Sequence, residues 1–191
     1  PGAGLYRNVH VIVTENAYIP VWGTYITTPT ATKEFAKVNV QTKIVLPEGA
    51  DASKYSVKTS VWNPNGQKLT EQTIPLSQIK YNDNSLSQEF IIQTPTLWSP
   101  DMPALYSAET RLYEGDQLKD IYTTPFGIRS IEIIPNKGFF LNGEKTVFKG
   151  VCNHHDLGPL GAAVNDAAIR RQIRILKDMG CNRSEERRVG K

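Results

Sequence analysis

The chain has 191 residues, room for one large domain or two small ones, with 39% hydrophobic and 21% charged residues, a balance that fits a globular protein. Its 22 basic and 19 acidic residues leave a net charge of +3, and the last nine residues, from Arg183, hold four basic and two acidic groups, so the tail carries +2 of it. A body near +1 has no footprint for nucleic acid, no apolar run is long enough to cross a bilayer, and two cysteines, Cys152 and Cys181, are too few for a disulfide framework.

The chain opens at Pro1-Gly2-Ala3-Gly4 without a signal peptide, an opening expected of an interior segment. Tyr6 to Val13 alternates as a strand, Tyr6, Asn8, His10 and Ile12 against Arg7, Val9, Val11 and Val13. Strands are then expected over Tyr18–Thr27 and Phe35–Leu46. Tyr55–Trp62 and Lys68–Ile74 flank the turn Asn63-Pro64-Asn65-Gly66. Phe90–Ile92, Ala104–Tyr113 and Gln117–Thr123 continue the series, the last two joined by Glu114-Gly115-Asp116. About seven short strands at this spacing predict an antiparallel sandwich of immunoglobulin type. Its tryptophans, Trp22, Trp62 and Trp98, read as structural, with Trp98 as a core aromatic.

The character changes near Ser130. Ile131–Ile133 and Phe139–Leu141 read as strands, and Asn142-Gly143 turns the chain back through Thr146–Phe148. A strand ends at Gly150-Val151, a loop runs over Asn153–Gly161, and a helix follows over Asn165–Met179. Asn165 is a plausible N-cap, Asp166 suits the helix N-terminus, Ile169, Ile173, Leu176 and Met179 share one face, and Gly180 is placed to stop it. Strand, loop, helix is the β/α unit of a barrel, whose sites form in the loops after its strands. Beyond Asn182 a buried strand should follow, yet Arg183–Lys191 shows no periodicity and no core. It reads as a non-native tail, such as a translated sequencing adapter leaves on a truncated frame; a disordered terminus is the alternative.

The ordered motifs resemble glycoside hydrolase family 2, the β-galactosidase group. Gly4-Leu5-Tyr6-Arg7-Asn8-Val9 is similar to the closing strand of that family's N-terminal sugar-binding jelly roll. Leu97-Trp98-Ser99-Pro100 with Pro103-Ala104-Leu105-Tyr106 is similar to its tryptophan-proline motif, and Phe126-Gly127-Ile128-Arg129 to its link into the catalytic barrel. Leu141-Asn142-Gly143 and Gly150-Val151-Cys152-Asn153-His154 resemble the barrel's opening hairpin and first strand. The resemblance covers Gly4 to Asn182. It implies a strand of the jelly roll over residues 1–16, the sandwich over 17–129, the start of a (β/α)8 barrel over 130–182 and the tail over 183–191. The Val21–Tyr25 and His154–Gly158 runs look most like bacterial β-galactosidase-type members, which suggests a periplasmic or extracellular protein.

His154, His155 and Asp156 form a site-like cluster in a chain with only three histidines. The resemblance implies a retaining glycosidase with two catalytic glutamates about 5–5.5 Å apart, both beyond this chain. Glu185 and Glu186 are not those residues. It places His154 in the sugar-binding subsite, where neutral imidazole can hydrogen-bond a sugar hydroxyl; padding of the strand end is the structural alternative. His155 and Asp156 are weaker substrate-binding candidates, and Asp156 can orient a histidine or cap the loop. A His-His-Asp metal site is a third reading, disfavoured because adjacent histidines rarely face one ion. No cofactor is expected within these residues; a divalent or monovalent cation of the parent would be held further along. The expected partner is a β-galactoside-like carbohydrate, with no nucleic acid and no membrane, and a homo-oligomeric parent is compatible. β-Glucuronidase and β-mannosidase share this architecture. A stand-alone, non-catalytic immunoglobulin-like carbohydrate-associated module is the other class, but such a module has no use for a strand-loop-helix appendix.

Overall fold

The computed structural model describes residues 9–78, 85–153, 157–161, 163 and 165–186. They divide into two compact units, Val13–Lys145 and the described parts of Pro1–Ile12 with Thr146–Lys191.

The first unit is a two-sheet antiparallel sandwich. Strands β1 (Thr24–Ala31), β2 (Phe35–Lys43) and, further along, β5 (Ser85–Gln93) form a sheet in the order β1-β2-β5. Strands β3 (Tyr55–Trp62), β4 (Lys68–Pro75), β6 (Tyr106–Glu114) and β7 (Gln117–Phe126) form the other, in the order β4-β3-β6-β7. Strict alternation drives the layers together. Ala36, Val38 and Val40 of β2 and Phe90 and Ile92 of β5 meet Val61, Tyr106, Ala108 and Phe126 from the opposing sheet. A second apolar cluster holds Ile44, Leu86, Tyr55, Val57 and Leu112. Between the two clusters the inward positions are polar: Thr59, Gln88 and Thr110 are each at most 1% exposed. The Thr59 hydroxyl donates across the sandwich to Gln88 Oε1 at 2.6 Å, Gln88 Nε2 donates to the Gln72 carbonyl at 3.0 Å, and Thr110 Oγ1 lies 3.4 Å from Thr59 Oγ1.

The lead-in to the sandwich is pinned rather than paired. Tyr18 bridges Val45, and Ala17 and Ile19 are buried in the second cluster. Ile19 N donates to Asp120 Oδ2 at 2.8 Å and Trp22 N to the Tyr122 hydroxyl at 3.0 Å. The strand expected over Tyr18–Thr27 is therefore broken. Gly23 N closes a turn on the Pro20 carbonyl at 2.7 Å, and the pairing of β1 starts only at Thr24. Val9–Val13 belongs to no strand; a strand needs a partner edge, and none pairs with it among the described residues. The rest of the expected Tyr6–Val13 strand lies outside the described residues.

A small antiparallel sheet completes this unit: β8 (Ile131–Ile134), β9 (Gly138–Leu141) and β10 (Glu144–Lys145). Asn142, at φ 53°, ties it to the preceding loop. Its side chain accepts from Ser130 N and donates to the Trp98 carbonyl, both at 3.0 Å, and its own N donates to the Ser130 carbonyl at 2.9 Å. Trp98 is only partly buried, not the core aromatic expected. The Arg129 guanidinium covers its ring at 4.8 Å, and a Cβ on Gly127 would sit 3.0 Å from its atoms.

In the second unit β11 (Gly150–Asn153), α1 (Asp166–Asp178) and β12 (Arg183–Glu186) follow in order, and β11 and β12 pair in parallel. Asn165 caps α1, its Oδ1 accepting from Ala167 N at 2.8 Å, and Gly180 takes φ 85° just past the end. The apolar face of α1 is only partly covered; Ile169 and Leu176 are half-buried, Ile173 and Met179 are 49% and 69% exposed, and no helix residue is buried.

Candidate functional site

The C-terminal end of β11 leads into the loop that carries the sequence-predicted site. His154, His155 and Asp156 lie outside the described residues; the described stretch leading into them, Val147–Asn153, forms the frame. That frame is built by Asn182. Its side chain accepts from Lys149 N at 2.9 Å and donates to the Val147 carbonyl at 3.0 Å, while its own N donates to the Lys149 carbonyl at 2.9 Å. Thr146–Phe148, through which the chain is expected to turn back, belongs to no strand, and the Val147 carbonyl is taken by the Asn182 side chain. The clamp also aligns β12 with β11: Gly150 opposes Arg183, and Asn153 opposes Glu186. A Cβ at Gly150 would lie 2.7 Å from the Arg183 carbonyl oxygen, so glycine permits the approach. The Arg183 guanidinium lies 5.0 Å from the Phe148 ring centre.

Arg183–Glu186 thus has a regular place, against the expectation of no element there. Parallel pairing needs backbone groups, not apolar side chains, and Asn182 supplies the register. The sequence signal for β12 was absent because its side chains are polar. Residues 187–191 lie outside the described residues. Cys152 and Cys181 are free thiols, and no group of three metal-ligating side chains occurs among the described residues.

Two charged clusters in the sandwich were not foreseen. Lys119 Nζ lies 3.1 Å from Glu114 Oε2, 3.4 Å from Glu15 Oε2 and 2.9 Å from Gln117 Oε1. It borders a cleft of about 490 Å³ with Glu15, Asn16, Ala17, Pro47, Tyr55 and Glu114. The hydrogen bond to Glu114 above all holds the lysine protonated beyond its ordinary range, while burial pushes the Tyr55 phenol up. With its acids and its cation paired, the cluster offers no free base or nucleophile; it fastens the lead-in at Glu15. On the opposite sheet edge Glu71 accepts from Lys58 and Ser60 at 2.8 Å and from Lys68 at 3.1 Å. The Lys119–Glu15 tie joins residues far apart in the chain and leaves no spacing signal in a sequence.

Comparison with known proteins places these features. The family model described as glycosyl hydrolases family 2 matches residues 18–129. The β-galactosidase BoGH2A of Bacteroides ovatus is 39% identical over 181 residues, 95% of this chain and 21% of that protein. A β-glucuronidase of Bacteroides fragilis is 28% identical over 190 residues, 94% of this chain and 26% of its own length. A solved glycosyl hydrolase family 2 member from Bacteroides cellulosilyticus superposes with a TM-score of 0.82 at 34% identity, covering 92% of this chain and 23% of that one. The chain therefore spans about a fifth to a quarter of the length of these three proteins.

Proposed function

This chain belongs to glycoside hydrolase family 2, and from that premise we propose that it is an internal piece of a retaining β-glycosidase acting on terminal β-galactosides. The observation that carries the reading is the 39% identity to a β-galactosidase over 95% of the chain. In this reading residues 17–129 are the linking sandwich, residues 1–16 close a preceding jelly roll, and residues 183–191 include non-native sequence. Residues 130–182 open the catalytic barrel; the β11–α1 order supports this, since a barrel is built from strand-loop-helix units.

His154 then donates or accepts a hydrogen bond at a sugar hydroxyl, and the bond strengthens as the ring flattens toward the oxocarbenium-like state. His155 and Asp156 hold that histidine and the sugar in place. The two carboxylates that do the chemistry belong to later strands, so the 191-residue chain hydrolyses no aryl β-glycoside above background. A β-glucuronidase is the second reading, favoured by the Bacteroides fragilis relative.

The test extends the reading frame past Asn182 and assays the parent on aryl β-galactoside, β-glucuronide and β-mannoside. The galactoside is expected to give the highest kcat/KM; a preference for the glucuronide overturns the substrate assignment. In that parent His154→Ala should lower kcat by about 10- to 1000-fold, about 1.4–4 kcal/mol, with the fold intact. Unchanged kinetics would make His154 a packing residue.

A further inference from the structure

Three hydroxyl oxygens inside the sandwich are buried and have no hydrogen-bond partner: Thr24 Oγ1, Thr42 Oγ1 and Thr124 Oγ1. Every other buried side-chain nitrogen or oxygen among the described residues has one. An orphaned buried hydroxyl is destabilising, so each of the three needs a physical account. Their placement supplies it. Thr42 is fully buried on β2, between Val40 of the first apolar cluster and Ile44 of the second. Thr24 on β1 is its direct cross-strand partner, so the two side chains share one face of the sheet. Thr124 stands on β7 of the opposing sheet, between Tyr122, packed on the second cluster, and Phe126 of the first. Strand β1 lies against β7 where the two sheets meet. Two hydrogen bonds bracket the threonines there. Trp22 N donates to the Tyr122 hydroxyl at 3.0 Å, just before Thr24 and Thr124 in the chain, and Thr28 Oγ1 donates to the Arg129 carbonyl at 3.1 Å just beyond them. Three strands from two sheets thus bring their unpaired hydroxyls to one side of the interior.

We infer that Thr24, Thr42 and Thr124 form a binding site for an internal water molecule. A buried water typically makes about three hydrogen bonds to polar groups that have no other partner, and three such groups converge here. A threonine hydroxyl offers one donor and two acceptor positions and rotates to suit its partner, so the set can meet both the protons and the lone pairs of a water. The inward polar residues on the other side of the sandwich need no such ligand. Gln88 is long enough to reach from its own sheet to the Thr59 hydroxyl and the Gln72 carbonyl. Threonine is too short to span two sheets, and the water supplies the missing reach. The site is a property of the sandwich and does not depend on the glycosidase reading.

The test uses the 191-residue chain. Oxygen-17 magnetic relaxation dispersion counts waters that tumble with a protein and is blind to exchange of hydroxyl protons. The triple variant Thr24→Val, Thr42→Val, Thr124→Val should lose the amplitude of one such water, while Thr42→Ser, which keeps the hydroxyl, should retain it. Thermal melts give an independent sign. If Thr42 Oγ1 holds a water, Thr42→Val should lower the unfolding midpoint by about 2–4 °C. If that oxygen is dry and unpaired, replacing it with a methyl group of the same shape should raise the midpoint instead. An unchanged dispersion amplitude in the triple variant, or a raised midpoint for Thr42→Val, overturns the proposal. Should the triple variant fail to fold, a crystal structure of the unsubstituted chain decides. It should show a water within about 3 Å of all three Oγ1 atoms, and hydroxyls bonded directly to one another or to main-chain carbonyls, with no water between them, would overturn it.

Discussion

Asn142→Ala should be the most informative single change in the sandwich unit. The residue holds three polar contacts at 2.9–3.0 Å and sits at φ 53°. Alanine keeps the backbone bond to Ser130 and loses both side-chain bonds. Each is worth about 1 kcal/mol net, and more if the Trp98 carbonyl or Ser130 N stays dry. Alanine also meets left-handed strain of about 1–2 kcal/mol, which asparagine tolerates better. The expected loss is about 3 kcal/mol. Asn142→Gly separates the terms, because it loses the same two bonds without the strain. Glycine's larger freedom in the unfolded chain offsets part of that advantage, so it should be milder than alanine by about 0.5–1 kcal/mol. Urea melts followed by circular dichroism give the global values. Amide exchange at Ser130 reports whether the small β8–β10 sheet opens alone. A loss below about 0.5 kcal/mol for both variants, with Ser130 exchange unchanged, would refute the reasoning.

Gly127→Ala should destabilise by driving a Cβ to 3.0 Å from Trp98, about 1–3 kcal/mol of overpacking. In a Trp98→Ala background the same change should cost little, and additive effects in that double-mutant cycle would place the clash elsewhere. Glu71 should titrate near 2 instead of its ordinary 4.5, because hydrogen bonds from Lys58 first, then Ser60 and Lys68, favour its charged form. Its folded value is depressed, so its contribution to stability is complete above about pH 4.5 and fades as pH falls through 2. Carbon-13 titration of the Glu71 carboxyl checks this, and an unshifted midpoint would count against the cluster.

The two-sheet architecture could be read from alternation alone, and β3 was read to its ends because Tyr55, Val57, Thr59 and Val61 alternate between clear turns. Strand β5 was read only over Phe90–Ile92. Gln88 sits at an inward position, and a buried glutamine breaks the apolar rhythm that reveals a strand. Trp98 looked like core because composition cannot tell burial in the sandwich from cover by a distant Arg129. β12 was hidden for a related reason: its place depends on the Asn182 clamp, reaching across 33 and 35 residues. The family's site residues were recognised by likeness to a motif, not by geometry, and His154, His155 and Asp156 lie outside the described residues.

The polar level formed by Thr59, Gln88 and Thr110 makes the sandwich self-indexing. Alternation has a period of two, so a strand that slides by two residues still points its apolar set inward. An all-apolar interior would accept such an error at little cost. Here the same slide of β5 would lift Gln88 away from the Thr59 hydroxyl and the Gln72 carbonyl and bury its amide among valines. An orphaned buried amide costs about 1–3 kcal/mol, a large share of the stability of a domain this size. One hydrophilic rung therefore acts as a zero mark on a scale whose other divisions look alike.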